Sequence, residues 1–167
     1  MSFPKASIPD RNIRGQIQFF RKSVGNRGRV HIFRDAINHE AGLTHFLRFN
    51  DAKHYIKAGY FYDREHTEGA NWDYSGNKFV TGIQYTFPKD IRLNADYEYK
   101  EVCYKNINIF FDEKRKDIER AVSGSISKDI INNLTLSLEY LRRDNMSNIA
   151  LYDYDKNLYS IGLSWRW

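Results

Sequence analysis

The chain has 167 residues, a formal net charge of +5 and one cysteine, Cys103, so it amounts to one domain with no internal disulfide and no cysteine-built metal cluster. Charged residues make up 28% of it, mean hydropathy is -0.68, and no apolar run reaches the ~18 residues that a transmembrane helix needs. Residues 1–34 carry eight Lys or Arg against Asp10 alone, or +7, while the remaining eighteen basic and twenty acidic residues give -2. The basic stretch can meet lipopolysaccharide phosphates or an anionic substrate, or can simply be solvated.

Residues 1–10 hold two of the three prolines and read as an irregular lead-in, ahead of a β-domain over 11–167. Nothing there is apolar enough for a signal peptide, so an exported chain of this kind is expected to be a mature piece or the C-terminal part of something longer. Weak alternation over 11–21, a turn at Gly25-Asn26-Arg27-Gly28 and a second short strand over 29–36 form a strand pair. From residue 42 onward the alternation is regular. Strands are predicted over 42–50 and 54–62, then after a long polar loop over 64–77. In that next strand Phe79, Thr81, Ile83, Tyr85 and Phe87 share a face.

Pro88-Lys89-Asp90 turns the chain. Ile91, Leu93, Ala95, Tyr97 and Tyr99 then alternate with Arg92, Asn94, Asp96, Glu98 and Lys100 without exception, giving one apolar and one polar face. A second long loop is expected over 105–114. The strand over 116–127 places Ile118, Val122, Gly124 and Ile126 outward, together with Arg120. A cation at a bilayer midplane costs ~2 to 4 kcal/mol, so Arg120 must sit high, snorkel, or mark a misread register. Leu134, Leu136, Leu138 and Tyr140 form the next apolar face, and a third long loop over 145–155 precedes the last strand.

That strand reads Lys-Asn-Leu-Tyr-Ser-Ile-Gly-Leu-Ser-Trp-Arg-Trp. An apolar terminal edge of this kind invites pairing, which closure into a barrel satisfies. Connections near residues 51, 89 and 130 are short and those near 70, 110 and 150 long, the alternation of periplasmic turns and external loops in outer-membrane barrels. The expected fold is all-β: an antiparallel up-and-down transmembrane β-barrel of about eight strands, or the C-terminal part of a larger barrel.

Tyr159, Ile161, Gly162, Leu163, Trp165 and Trp167 together resemble the C-terminal signal by which bacterial outer-membrane barrels are recognised for insertion. With the segment from Leu134 through Tyr140, Arg142, Asp144 and Tyr152-Asp153-Tyr154-Asp155, the stretch from Lys53 on resembles barrels attached to periplasmic tetratricopeptide repeats, among them the surface lipoprotein assembly modifiers. The resemblance implies an outer-membrane location and a non-enzymatic role in transport, export or surface assembly of macromolecules. It also implies contacts with outer-membrane lipid, lipopolysaccharide, the barrel-assembly machinery and a periplasmic repeat domain.

Chemistry is sparse. His39-Glu40 and His45 lack the i, i+4 spacing of a zinc-protease helix, His31, His54 and His66 are scattered, and Asp153 with Asp155 is a thin basis for a calcium site. No catalytic residue, cofactor or metal is expected. The polar groups of interest are Arg92, Asp96, Glu98, Lys100, Glu139 and Arg143, which alternation turns into the lumen, either pairing with one another or lining a polar path. The competing class is a soluble β-barrel whose basic stretch and aromatics bind nucleic acid or another polyanion; against it stand the apolar outward faces, so no nucleic-acid partner is expected.

Overall fold

A computed structural model describes residues 12–24, 36–51, 53–67, 70–131 and 133–165. Eight strands, β1 (Asn12–Val24), β2 (Ala36–Phe49), β3 (His54–Thr67), β4 (Tyr74–Phe87), β5 (Ile91–Asn108), β6 (Glu113–Ile131), β7 (Leu134–Ser147) and β8 (Tyr154–Trp165), form one antiparallel sheet in chain order. Helical structure among the described residues is confined to three short 3-10 turns, Ala70–Trp72, Pro88–Asp90 and Ala150–Tyr152. β1 and β8 are the two edges, so the described sheet is an up-and-down wall of a barrel that is not closed.

The register separates two faces. On one, the rows Leu93–Ile126–Leu138–Ile161 and Ala95–Gly124–Tyr140–Tyr159 run across β5 to β8, and Ile56, Ala58, Tyr60 and Tyr62 on β3 continue them. These side chains are mostly exposed, Tyr159 at 79%. The other face carries Lys57, Asp63, Lys78, Asp96 and Lys100. Its ion pairs skip a strand: Lys57 on β3 meets Asp96 on β5 at 2.6 Å, Lys100 on β5 meets Asp63 on β3 at 2.6 Å, and Lys78 on β4 meets Glu40 on β2 at 2.5 Å. Alternate strands of a flat sheet lie ~9.5 Å apart, and their side chains converge only where the sheet curves toward them. The polar face is therefore the concave, inner one.

Along each strand the outer residues form a largely apolar band, interrupted on β2 by His45 between Leu43 and Leu47. On β4 it runs from Phe79 to Phe87, about 26 Å along the strand at ~3.3 Å per residue, or ~20 Å in height at the ~40° tilt usual for barrel strands. Above it the outer face turns polar on every strand from β2 to β8, at His39, Arg64, Asn77, Glu101, Arg120, Arg142 and Asn157. Arg120 thus lies at the upper margin, cross-strand from Asp144, and the register read from sequence stands. Thr81, a polar residue inside the band, turns its hydroxyl to the Lys57 carbonyl oxygen at 3.1 Å, leaving its methyl outermost.

The lower connections are tight. Asn50 and Asp51 both take positive φ, 55° and 52°, as do Lys89 and Asp90, 66° and 57°. Two consecutive left-handed residues match the twist of the flanking strands, as in a type I′ hairpin. His54 braces this end: its ring stacks on Tyr85 with centroids 4.3 Å apart, and its Nδ1 accepts the Thr86 N–H at 3.1 Å.

Three expectations need correction. The long upper loops are mostly strand: β3 runs to Thr67, β5 to Asn108, β6 starts at Glu113, β7 runs to Ser147 and β8 starts at Tyr154. Of the described residues, only 70–73, 109–112 and 148–153 lie between strands at that end. Above the band both faces mix polar and apolar residues, with Ile118 and Met146 outside among charges and Val102 inside, so alternation fades while the backbone ladder continues. For the same reason β2 begins at Ala36, not at 42. Finally, β1 pairs with β2 directly, Phe19 opposite Ala41, in place of the short hairpin expected over 11–36; the turn at 25–28 and most of the second strand predicted there lie outside the described residues, as does the lead-in over 1–10.

Candidate functional site

The inner face divides into two halves. Across β2 to β5 it is closed by its own charges. Asp63, 3% exposed, accepts hydrogen bonds from Asn38 Nδ2 at 2.7 Å and from the Tyr74 hydroxyl at 3.0 Å, besides its bridge to Lys100. Lys78 lies over the Phe61 ring at 4.6 Å and Lys100 over Tyr74 at 5.0 Å, so each cation keeps an aromatic face as well as a carboxylate. Two glycines make the crossings possible. Gly82 occupies the row between Lys57 and Asp96, where a Cβ would collide with Asp96 Oδ1 and come within 2.7 Å of Lys57 Cε. At Gly76, in the row between Asp63 and Val102, a Cβ would stand 2.9 Å from the Glu101 carbonyl oxygen.

The upper rim is fastened across its connections. Asp73 accepts the Thr67 backbone N–H at 2.5 Å and the Thr67 hydroxyl at 3.0 Å, with His66 Nδ1 3.1 Å away. Burial pushes the Asp73 carboxyl up, but these donors and the His66 ring outweigh it and hold the group below the usual carboxylate range. Farther round, Arg115 forks onto Asp117 with bonds of 2.9 and 2.5 Å, and its guanidinium packs 3.5 Å from the Tyr152 ring centre and 4.5 Å from that of Tyr104. Asn108 Nδ2 donates to the Tyr152 hydroxyl at 3.2 Å, and Asn148 Nδ2 donates to Glu113 at 2.8 Å. The β5–β6 and β7–β8 connections are thus one unit.

Across β6 to β8 the inner face is different. Row by row upward it presents Ser125, Glu139 and Ser160, then Ser123, Leu141 and Leu158, then Ala121, Arg143 and Lys156. The lower two of these rows line a cavity of about 610 Å³, bounded toward β5 by Asn94 and Asp96, and the row of Arg143 and Lys156 stands above it.

All six polar residues singled out from sequence share this inner face by register. They do not pair with one another. Asp96 and Lys100 bind Lys57 and Asp63, Arg92 binds Asp129 at 2.9 Å, and Glu139 accepts a bond from Ser160 at 3.3 Å. Glu98 and Arg143 make no ion pair among the described residues. Sequence reasoning did not single out Glu40, Lys57, Asp63 and Lys78, although alternation along β3 puts Lys57 and Asp63 on the face opposite Ile56, Ala58, Tyr60 and Tyr62. Of the terminal signal, Tyr159, Ile161, Leu163 and Trp165 share the outer face of β8, Gly162 lies on the inner face opposite Ser137, and Trp167 is outside the described residues.

No group of three or more His, Cys, Asp or Glu is placed to hold a metal among the described residues. Comparison with curated proteins produced no match. Residues 35–167, all of the sheet beyond β1, match the model of the surface lipoprotein assembly modifier family. With that match over most of its length and an up-and-down wall that the family resemblance led one to expect, the chain belongs to the surface lipoprotein assembly modifiers.

Proposed function

We propose that this chain is a membrane-spanning barrel wall of the bacterial outer membrane that serves surface assembly of lipoproteins without itself catalysing a reaction. One observation carries the membrane reading: an outer band, apolar in its interior except at His45 and Thr81 and ~20 Å high, ends at a polar line followed across seven successive strands and backs onto a polar inner face whose charges pair across β2 to β5. Water gives no reason for that arrangement; a hydrocarbon layer of roughly 25 Å does. Tyr60, Tyr62, Tyr97 and Tyr140 gather near the upper margin and Phe49, Tyr85, Phe87 and Trp165 near the lower, as interfacial girdles do. The three tight lower connections then face the periplasm and the fastened rim faces outward.

The family supplies the cargo class, a surface lipoprotein. The wall contributes a polar inner surface past which such a protein is handled. Lipopolysaccharide, the barrel-assembly machinery and a periplasmic repeat domain are the partners this role requires. The test is deletion of the chain in its own bacterium, with lipoproteins on intact cells quantified by antibody and by protease shaving. Lost surface exposure with unchanged total lipoprotein supports the reading; unchanged exposure refutes it.

A further inference from the structure

On the inner face of β6 to β8, Glu139, Arg143 and Lys156 form no ion pair among the described residues. From β2 to β5 every strand-skipping pair of opposite charges described above is closed. In the row Glu98–Ala121–Arg143–Lys156 the same geometry is present, with small Ala121 between Glu98 and Arg143, yet no ion pair forms. Arg143 and Lys156 stand side by side across β7 and β8, two cations with no anionic partner among the described residues. Two rows below, Glu139 has only the Ser160 hydroxyl. Between them lies the apolar pair Leu141 and Leu158.

We infer that this trough binds an extended polypeptide segment that presents a basic, an apolar and an acidic side chain at alternate positions. Successive same-face rows of a strand are ~6.6 Å apart, and so are alternate side chains of an extended chain. An acidic side chain at the level of Arg143 and Lys156 thus brings an apolar one to Leu141 and Leu158 and a basic one to Glu139. Ser123 and Ser125 keep the floor low, and the cavity of about 610 Å³ that they line with Glu139, Leu141 and Leu158 has room for the basic and apolar side chains, with Arg143 and Lys156 at its upper rim by register. Each charge of the segment meets a wall charge of opposite sign that has no ion-pair partner among the described residues. The inference deepens the proposed lipoprotein role, on which it rests for the cargo being a polypeptide, and assigns the contact to one side of the wall.

The experiment uses the full-length protein extracted from membranes in detergent and a labelled nine-residue peptide with the core Lys-Ser-Leu-Ser-Asp, read by fluorescence anisotropy. Saturable binding is expected. Arg143→Glu with Lys156→Glu should weaken it at least tenfold and make Lys-Ser-Leu-Ser-Lys the better ligand, whereas Arg143→Lys with Lys156→Arg should retain it. Ser123→Trp, which fills the floor without touching a charge, should also abolish it. Binding indifferent to charge reversal, equal displacement by millimolar inorganic phosphate, or no binding by protein with intact β-sheet signal overturns the inference. Lipoprotein display is followed in parallel. Display lost on deletion, with no peptide bound, overturns the trough alone; peptide bound in the expected charge pattern, with display intact on deletion, upholds the trough and removes the lipoprotein role.

Discussion

The Tyr60 hydroxyl on β3 donates to Asn77 Oδ1 on β4 at 2.6 Å, and the Tyr140 hydroxyl on β7 donates to Asn157 Oδ1 on β8 at 2.8 Å. In both pairs the ring lies in the apolar band and the hydroxyl reaches one row up to the polar line that ends it. A phenol is suited to this place because its body is apolar and its tip seeks a partner.

Replacing either tyrosine by Phe keeps the ring and deletes the bond. A typical net hydrogen bond is worth about 1 kcal/mol, so Tyr60→Phe and Tyr140→Phe should each lower unfolding stability by that order, while Tyr60→Ala should cost several times more. Urea unfolding in detergent micelles, followed by tryptophan emission, measures the difference. Equal losses for Phe and Ala would deny the hydroxyl-specific role.

Outer-face charges should follow depth. Leu138 and Ile161 share a row near the middle of the band, whereas Leu136 lies in the lowest rows beside Lys128. Leu138→Arg or Ile161→Arg should cost ~2 to 4 kcal/mol and block insertion, Leu136→Arg less, and Ser137→Arg on the inner face least. Membrane-fraction yield and heat-dependent gel mobility rank the four; a flat ranking would sink the face assignment.

Lys100→Met leaves Asp63 buried with two neutral donors but no cation. Breaking one side of a buried pair typically costs ~3 to 5 kcal/mol, and replacing both sides by apolar groups recovers much of it. A double-mutant cycle with Asp63→Leu should therefore show strong coupling. Additive losses would mean that the two charges act independently.

The Asp73 carboxyl is held below its ordinary range, so it binds its proton less readily in the folded rim than in the unfolded chain. Its contribution is present above the unfolded carboxylate pKa and is lost as pH falls through the lower, folded value. Amide protection at Thr67, whose N–H it accepts, should persist through mildly acid pH and fall only below the usual carboxylate range. Asp73→Asn should flatten that transition in a pH series of hydrogen exchange.

At the lower end, Asp90 takes φ of 57°, a conformation that costs an L-residue roughly 1 kcal/mol and glycine nothing. Asp90→Gly should raise unfolding stability by about that amount. A loss of stability on the same urea assay would mean that the Asp90 side chain has a structural role of its own.

Inside the apolar band, the sequence by itself determined the strands, their faces and the tight turns. There one face meets a uniform apolar medium and the other a polar interior, so period-2 alternation is imposed on every residue from Ile91 to Lys100 and from Leu134 to Tyr140. Depth is invisible in a string, so an outward Arg120 leaves open a high position, snorkelling or a misread register; its row places it at the margin beside Asp144. Above the band the signal fails for a physical reason: both faces are wet, Asp63-Arg64-Glu65-His66 is polar at every position, and backbone hydrogen bonds alone continue the strand. Only the tertiary structure could decide which inner charges meet. Lys57 and Asp96, or Lys100 and Asp63, stand on strands that are not neighbours, and it is the curvature of the sheet, with glycine beneath the crossing, that brings them together.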